Sequence, residues 1–292
     1  MSVASLQLQQ LARVSSVASP ARYHLQNKFC GDRNTHIRVA AIPFPRNMVS
    51  MCKSSLASVA PIEAIFFDID GTLCDSDPLH FLAFRQMLQE IGFNGGVPIT
   101  EEFFITQISG KHNDNIGPIL FPDWDVQKSR QFLDDKEALF RKLAAEEMKQ
   151  VDGLDKLCQW ITDRSLKRAA VTNAPRSNAE LLLSMLGLSN FFKTLVIGTE
   201  WGRPKPCPDA YLKGIEMLQV SPKRAVVFED SVSGIKAGIA AGMPVVGVAL
   251  RNPAELLEEA GAVFTVKDFN DPKLWAALEE LDKIAVKPMV AA

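Results

Sequence analysis

Two carboxylates two positions apart, Asp68 and Asp70, stand where an apolar run ends and Gly71 permits a turn, in Phe66-Phe67-Asp68-Ile69-Asp70-Gly71-Thr72-Leu73. Like charges this close are costly unless a cation or a proton lies between them. A solvated Asp-Gly turn would explain Gly71 and one acid, but not an acid pair set directly against a strand core. Thr172 and Asn173 follow the apolar run ending at Val171, and Glu229 and Asp230 follow the run ending at Phe228. Lys205 lies between Pro204 and Pro206 in the loop after Ile197. Asp68, Asp70 and Asp230, with Glu229 beside them, make a hard oxygen site suited to Mg²⁺, which takes few protein ligands and shares the rest with phosphate and water. A lysine, a threonine hydroxyl and an asparagine amide match the oxygens of a phosphoryl group. The combination reads as phosphoryl transfer.

The elements that must position these residues are short apolar runs alternating with helix-like stretches from Pro61 onward. Ile62–Phe67, Arg168–Val171, Thr194–Ile197, Ala225–Phe228 and Val245–Ala249 read as strands buried on both faces. Asn178–Leu186, Asp209–Leu218, Val232–Ala241 and Pro253–Ala260 read as the helices between them. Such alternation predicts an α/β fold, a parallel sheet with helices on both faces. In such sheets ligands bind outside the carboxyl ends of the strands, where three of the four polar clusters fall and the Lys205 loop can reach.

Residues 78–149 break the alternation. Leu79, Ala83, Met87, Leu88 and Ile91 line one side of a helix that starts after Pro78 and stops at Gly92. Thr100 followed by Glu101 and Glu102 starts a second helix, and Lys128–Lys149 gives a long third. This is a helical insert between the first two strands.

The chain has 292 residues, 47% of them hydrophobic and 23% charged, which argues against global disorder and leaves ample length for a core. No apolar run reaches the roughly 18 residues of a membrane helix. The five cysteines fit neither a disulfide framework nor a zinc spacing. The net charge of −2 conceals an asymmetry. Residues 1–60 hold seven Lys/Arg, nine serines and one acid, so 25 basic and 33 acidic residues remain in the body. A Ser-rich, Arg-bearing, acid-poor start reads as an organelle transit peptide over residues 1–58, cleaved near residues 50–58. The plastid stroma is the expected compartment, with mitochondrion or cytoplasm as alternatives. A basic arm binding nucleic acid or anionic lipid is the competing reading, disfavoured because the basic residues are spread out and the body is acidic.

At these residues the sequence resembles the haloacid dehalogenase superfamily. Four motifs occur in order: Asp68-Ile69-Asp70-Gly71-Thr72, Thr172-Asn173, Lys205 in Arg203-Pro204-Lys205-Pro206, and Glu229-Asp230-Ser231-Val232-Ser233-Gly234. Within it, Gly71–His80 and Ala170–Pro175 resemble plant sugar-phosphate phosphatases and the β-phosphoglucomutase-like group. The resemblance implies a Rossmann-like core at 59–77 and 150–292, with a small helical cap at 78–149. It implies Asp68 as nucleophile, forming an aspartyl-phosphate, and Asp70 as general acid and base. It further implies Mg²⁺ held by Asp68, the Asp70 main-chain carbonyl and Asp230, with Glu229 a direct or water-mediated fourth. Thr172, Asn173 and Lys205 would hold the phosphate. His80 and Lys111 are candidate cap contacts to substrate, and His80 and Lys136 fall near positions that the mutase group uses to couple cap closure to transfer.

The expected activity is Mg²⁺-dependent hydrolysis of small phosphorylated sugars. An acid at position 70 favours C–O–P substrates, because dehalogenases and phosphonatases of the family lack one there. A hexose phosphomutase is the alternative. A catalytically inactive phosphosugar-binding protein would be expected to lack a motif acid or Lys205, and none is missing. The expected partner is a small phosphorylated metabolite, with no nucleic acid and no membrane, for a monomer or weak dimer.

Overall fold

The computed structural model describes residues 55–286. Its sheet has six parallel strands in the order β3-β2-β1-β4-β5-β6. These are β1 (Ala64–Phe67), β2 (Lys167–Thr172), β3 (Thr194–Ile197), β4 (Ala225–Glu229), β5 (Val245–Val248) and β6 (Phe264–Val266). The chain builds outward from β1 through β2 to β3, then returns to place β4 on the other side of β1. That reversal opens a crevice at the carboxyl ends of β1 and β4.

Helices cover both faces: α5 (Leu154–Asp163), α6 (Arg176–Met185) and α10 (Pro272–Val286) on one, and α7 (Asp209–Leu218), α8 (Val232–Ala240) and α9 (Ala254–Glu259) on the other. The split follows strand periodicity, since successive side chains point to opposite faces. Ile65 and Phe67 pack with Leu157, Leu182 and Leu278 on one side, while Ala64 and Phe66 pack with Tyr211, Ile235 and Leu257 on the other.

Between β1 and β2 lie α1 (Asp77–Glu90), α2 (Glu101–Gln107), α3 (Asn113–Leu120) and α4 (Val126–Glu147). They share an aromatic-rich core of their own around Phe84, Phe104, Ile116 and Phe132. Thr100 caps α2 by accepting the Phe103 N–H at 3.1 Å, and Asp125 caps α4 by accepting the Lys128 N–H at 2.9 Å. Leu79 and Ala83 of α1 and Phe140 and Ala144 of α4 belong instead to the core beneath the sheet, so the insert is seated on the body.

Several expectations change. Phe84, not Ile91, completes the buried stripe of α1, because the helix ends at Glu90 and leaves Ile91 44% exposed. The helices α3, α5 and α10 and the three-residue strand β6 were not anticipated. β6 is too short for its alternation to register. At the other end, residues 1–54, which hold most of the expected transit segment, lie outside the described residues. Residues 55–58 do not fit that segment. Leu56 and Val59 are 1% and 2% exposed in the main core, and the Ser55 hydroxyl donates to Glu280 at 2.7 Å. A protein starting at Ser55 should therefore be more stable than one starting at Ala60 by about 3 kcal/mol or more, the worth of two buried aliphatic side chains. Urea unfolding of the two forms measures this, and equal midpoints would remove Leu56 and Val59 from the core.

Candidate active site

Asp68 follows β1 directly, and its N–H donates to Phe228 O at 3.0 Å, continuing the pairing with β4. Glu229 ends β4 alongside it and Asp230 follows directly. Lys205 reaches in from the loop after β3, and its ammonium donates to Asp68 Oδ1 at 2.5 Å, Glu229 Oε1 at 2.7 Å and Val171 O at 2.7 Å. All its donors are thus engaged. Burial disfavours its charge, but the carboxylates of Asp68 and Glu229 outweigh that and raise its pKa. Asn173 positions this lysine: its Oδ1 accepts the Lys205 N–H at 3.0 Å and its Nδ2 donates to Lys205 O at 3.3 Å. The Asn173 amide thus bonds a main chain while the residue also lines the pocket. The Thr172 oxygen accepts the Ala174 N–H at 2.9 Å, and the residue lines the pocket at the end of β2.

Asp230 is held by Thr72, whose hydroxyl donates to its Oδ1 at 3.3 Å. Gly71 is required beside it, with φ +71° and a position where an added Cβ would fall 2.2 Å from Asp230 Oδ2. Oxygens of Asp68, Glu229 and Asp230 lie within 4.8 Å of one another, all buried. Burial pushes the Asp68 and Asp230 carboxyls well up, and the Glu229 charge adds to it. Such a cluster calls for more positive charge than one lysine supplies, and hard oxygen donors suit a divalent cation. Within it, Glu229 is engaged otherwise: Lys205 and the Tyr211 hydroxyl donate to Oε1, and the Ser231 N–H and hydroxyl donate to Oε2. Those contacts make Glu229 the anchor of Lys205, and leave Asp68 and Asp230 as the better placed cation ligands.

A second network descends from the insert. Asp70 Oδ1 meets His80 Nε2 at 3.2 Å, and His80 Nδ1 meets the Lys136 ammonium at 3.4 Å. An ammonium can only donate, so Nδ1 accepts and Nε2–H donates to Asp70. His80 is fixed by stacking on Phe140, with ring centroids 3.7 Å apart. Lys136 is buried beneath Phe84 and donates to Glu137 Oε1 at 2.6 Å. Glu137 also accepts from Asn113 at 3.0 Å and from Asn178 at 2.7 Å. Asn178 belongs to α6 of the body, so this carboxylate ties insert to core. Lys111 lies on the same pocket, its amine bonded to Thr106 O at 2.9 Å and its pKa lowered by burial. A further rim contact runs from the Ser233 hydroxyl to Gly110 O at 2.7 Å. Both networks line one open pocket, whose empty space, its solvent-filled mouth included, is about 720 Å³.

The structure thus brings Asp68, Asp70, Thr172, Asn173, Lys205, Asp230, His80, Lys111 and Lys136 to one pocket, with Glu229 behind them. Sequence reasoning missed Tyr211, Asn113, Glu137 and Asn178, which sit mid-helix or at a helix start with no local signature.

Residues 65–248 match the family described as haloacid dehalogenase-like hydrolase. The chain belongs to that family. Among relatives of this haloacid dehalogenase-like chain, a phosphorylated carbohydrates phosphatase of Thermotoga maritima is 33% identical over 213 residues, covering 70% of this chain and 94% of its own. A β-phosphoglucomutase of Bacillus subtilis is 25% identical over 238 residues, covering 78% of this chain and 100% of its own. The crystal structure of CbbY from Rhodobacter sphaeroides in complex with phosphate superposes with a TM-score of 0.64 at 26% identity, over 76% of this chain and 99% of that one.

The Glu137 network sets a pH dependence. Burial opposes its charge, but the Lys136 ammonium and the hydrogen bonds from Lys136 and Asn113 outweigh that and hold the carboxyl at about 2, against an ordinary 4.5. A depressed folded-state pKa stabilises above the unfolded value and is lost as pH falls through the folded one. The stability difference between wild type and Glu137→Gln should therefore be full above pH 4.5, at about 3 kcal/mol, and shrink toward pH 2. Urea titrations of both proteins at pH 7 and pH 3 check this, and an undiminished difference at pH 3 contradicts it.

Proposed function

We propose that this haloacid dehalogenase-like hydrolase is a phosphatase of small phosphorylated sugars. The observation that carries the reading is the meeting of Asp68, Lys205 and Asp230 with a His80-oriented Asp70 in one pocket. In the first step an Asp68 oxygen forms a bond to phosphorus while the bond from phosphorus to the sugar oxygen breaks. Asp70 gives that oxygen its proton, then takes a proton from the water that releases phosphate from Asp68. His80, donating to Asp70, holds the carboxyl at the leaving oxygen. Lys205 offsets the charge of Asp68 beside a dianionic phosphate, and the Thr172 hydroxyl is placed to donate to that phosphate. Asp68, the Asp70 main-chain carbonyl and Asp230 would hold Mg²⁺, whose charge would balance the phosphate oxygens. His80, Lys111 and Lys136 are the cap residues that would face the sugar. The basic, Ser-rich first residues support delivery to the plastid.

The sugar-phosphate class draws support from the phosphorylated carbohydrates phosphatase of Thermotoga maritima. The mutase reading draws on the Bacillus β-phosphoglucomutase. Glucose 1-phosphate separates them, since a hydrolase releases free phosphate and a mutase forms the 6-phosphate.

A phosphate-release screen of the protein from Ser55 against sugar phosphates should find Mg²⁺-dependent turnover that EDTA abolishes. Asp68→Ala should remove measurable turnover, and Asp70→Asn should lower kcat by roughly 10²–10⁴. Full activity in Asp68→Ala, or indifference to EDTA, would end the reading.

A further inference from the structure

Glu137 is an anion built into the pocket wall. It is 5% exposed, and the donors that converge on it are an ammonium and two amides, the same kinds that bind phosphate oxygens. Phe84, Phe104, Ile108 and Ile116 line the same pocket and make much of its wall apolar. Five carboxylates and three lysines line the whole pocket. Lys205 is paired with Asp68 and Glu229, and Lys136 with Glu137. Lys111 is the one lining lysine with no carboxylate partner among the described residues. The reacting phosphate has its counter-charges on the Asp68 side, while the donors of the opposite wall, Lys136, Asn113 and Asn178, are already taken up by Glu137.

We infer that Glu137 is a specificity-determining residue that reserves the far half of the pocket for the uncharged part of a singly phosphorylated substrate and excludes a second phosphate. It does so by occupying the donors a second phosphate would need and by neutralising the one buried ammonium that could balance its charge. The inference rests on the phosphatase reading above and deepens it. It also bears on the mutase alternative. Moving a phosphoryl group from one hydroxyl to another through a phosphorylated Asp68 passes through a sugar bisphosphate held in this pocket, the species that Glu137 leaves without donors for its second phosphate.

Matched pairs test this: ribose 5-phosphate against ribose 1,5-bisphosphate, fructose 6-phosphate against fructose 1,6-bisphosphate, and glucose 1-phosphate against glucose 1,6-bisphosphate. Phosphate release with Mg²⁺ is followed for wild type and Glu137→Gln, which keeps the side-chain shape and removes the charge. Wild-type kcat/KM should be at least tenfold lower for the bisphosphate of any pair that is turned over. Glu137→Gln should narrow that ratio tenfold or more, about 1.4 kcal/mol, which loss of packing alone would not do. Comparable wild-type rates on both members overturn the inference and leave the phosphatase standing, as does an unchanged ratio in folded Glu137→Gln. The wild-type ratio is decisive by itself if the variant does not fold. Absence of phosphate release from every pair removes the phosphatase reading, and this inference with it.

Discussion

A buried ammonium ion makes the strongest single demand on this structure. Lys205 is 3% exposed and sits between the carboxylates of Asp68 and Glu229, with a carbonyl of β2 taking its remaining donor. Removing either partner would leave an uncompensated charge in a low-dielectric interior, a loss of about 3–5 kcal/mol. The ends of β1, β2 and β4 and the loop after β3 must therefore meet at one point. The glycines near that point show how closely. A Cβ on Gly234 would fall 1.7 Å from Glu229 Oε1, and one on Gly71 would meet Asp230. The chain supplies no side chain where the carboxylates need room.

The sheet order makes this meeting possible. Because β4 returns to the far side of β1, the two acid-bearing strand ends are neighbours in space although about 160 residues separate them in sequence. The helices do the remaining work from opposite faces. Tyr211 of α7 reaches Glu229 from one face, while the insert brings His80 and Lys136 over the open end of the crevice. The two walls of the pocket consequently differ in character. The core wall concentrates carboxylates, two of them paired with Lys205. The insert wall is apolar, and its one buried lysine is already neutralised by Glu137.

The parallel sheet was legible because each central strand is buried on both faces and so reads as an unbroken apolar run, interrupted by helices with clear starts and stops. Asp68, Asp70, Glu229 and Asp230 were legible for a related reason: charged groups placed directly after such runs have no role in packing. The insert was legible in its position and in the Thr100 cap, but less so in its details. The stripe of α1 ran through Phe84, because the residue nominally completing it falls past the helix end. Likewise, the core claims Leu56, although its neighbours in sequence read as part of a leader.

What the sequence determined by itself was the class of fold and the set of polar groups gathered at its strand ends, since both follow from local patterns of burial, turn and charge. Tertiary structure alone decided which of those groups meet and what each of them bonds. Asn173 holds the Lys205 main chain, Glu229 anchors its ammonium, and Glu137 takes up Lys136, Asn113 and Asn178. These assignments depend on distances between residues far apart in the chain, and hydrogen bonding is settled at about 3 Å, a scale that no spacing along a sequence encodes.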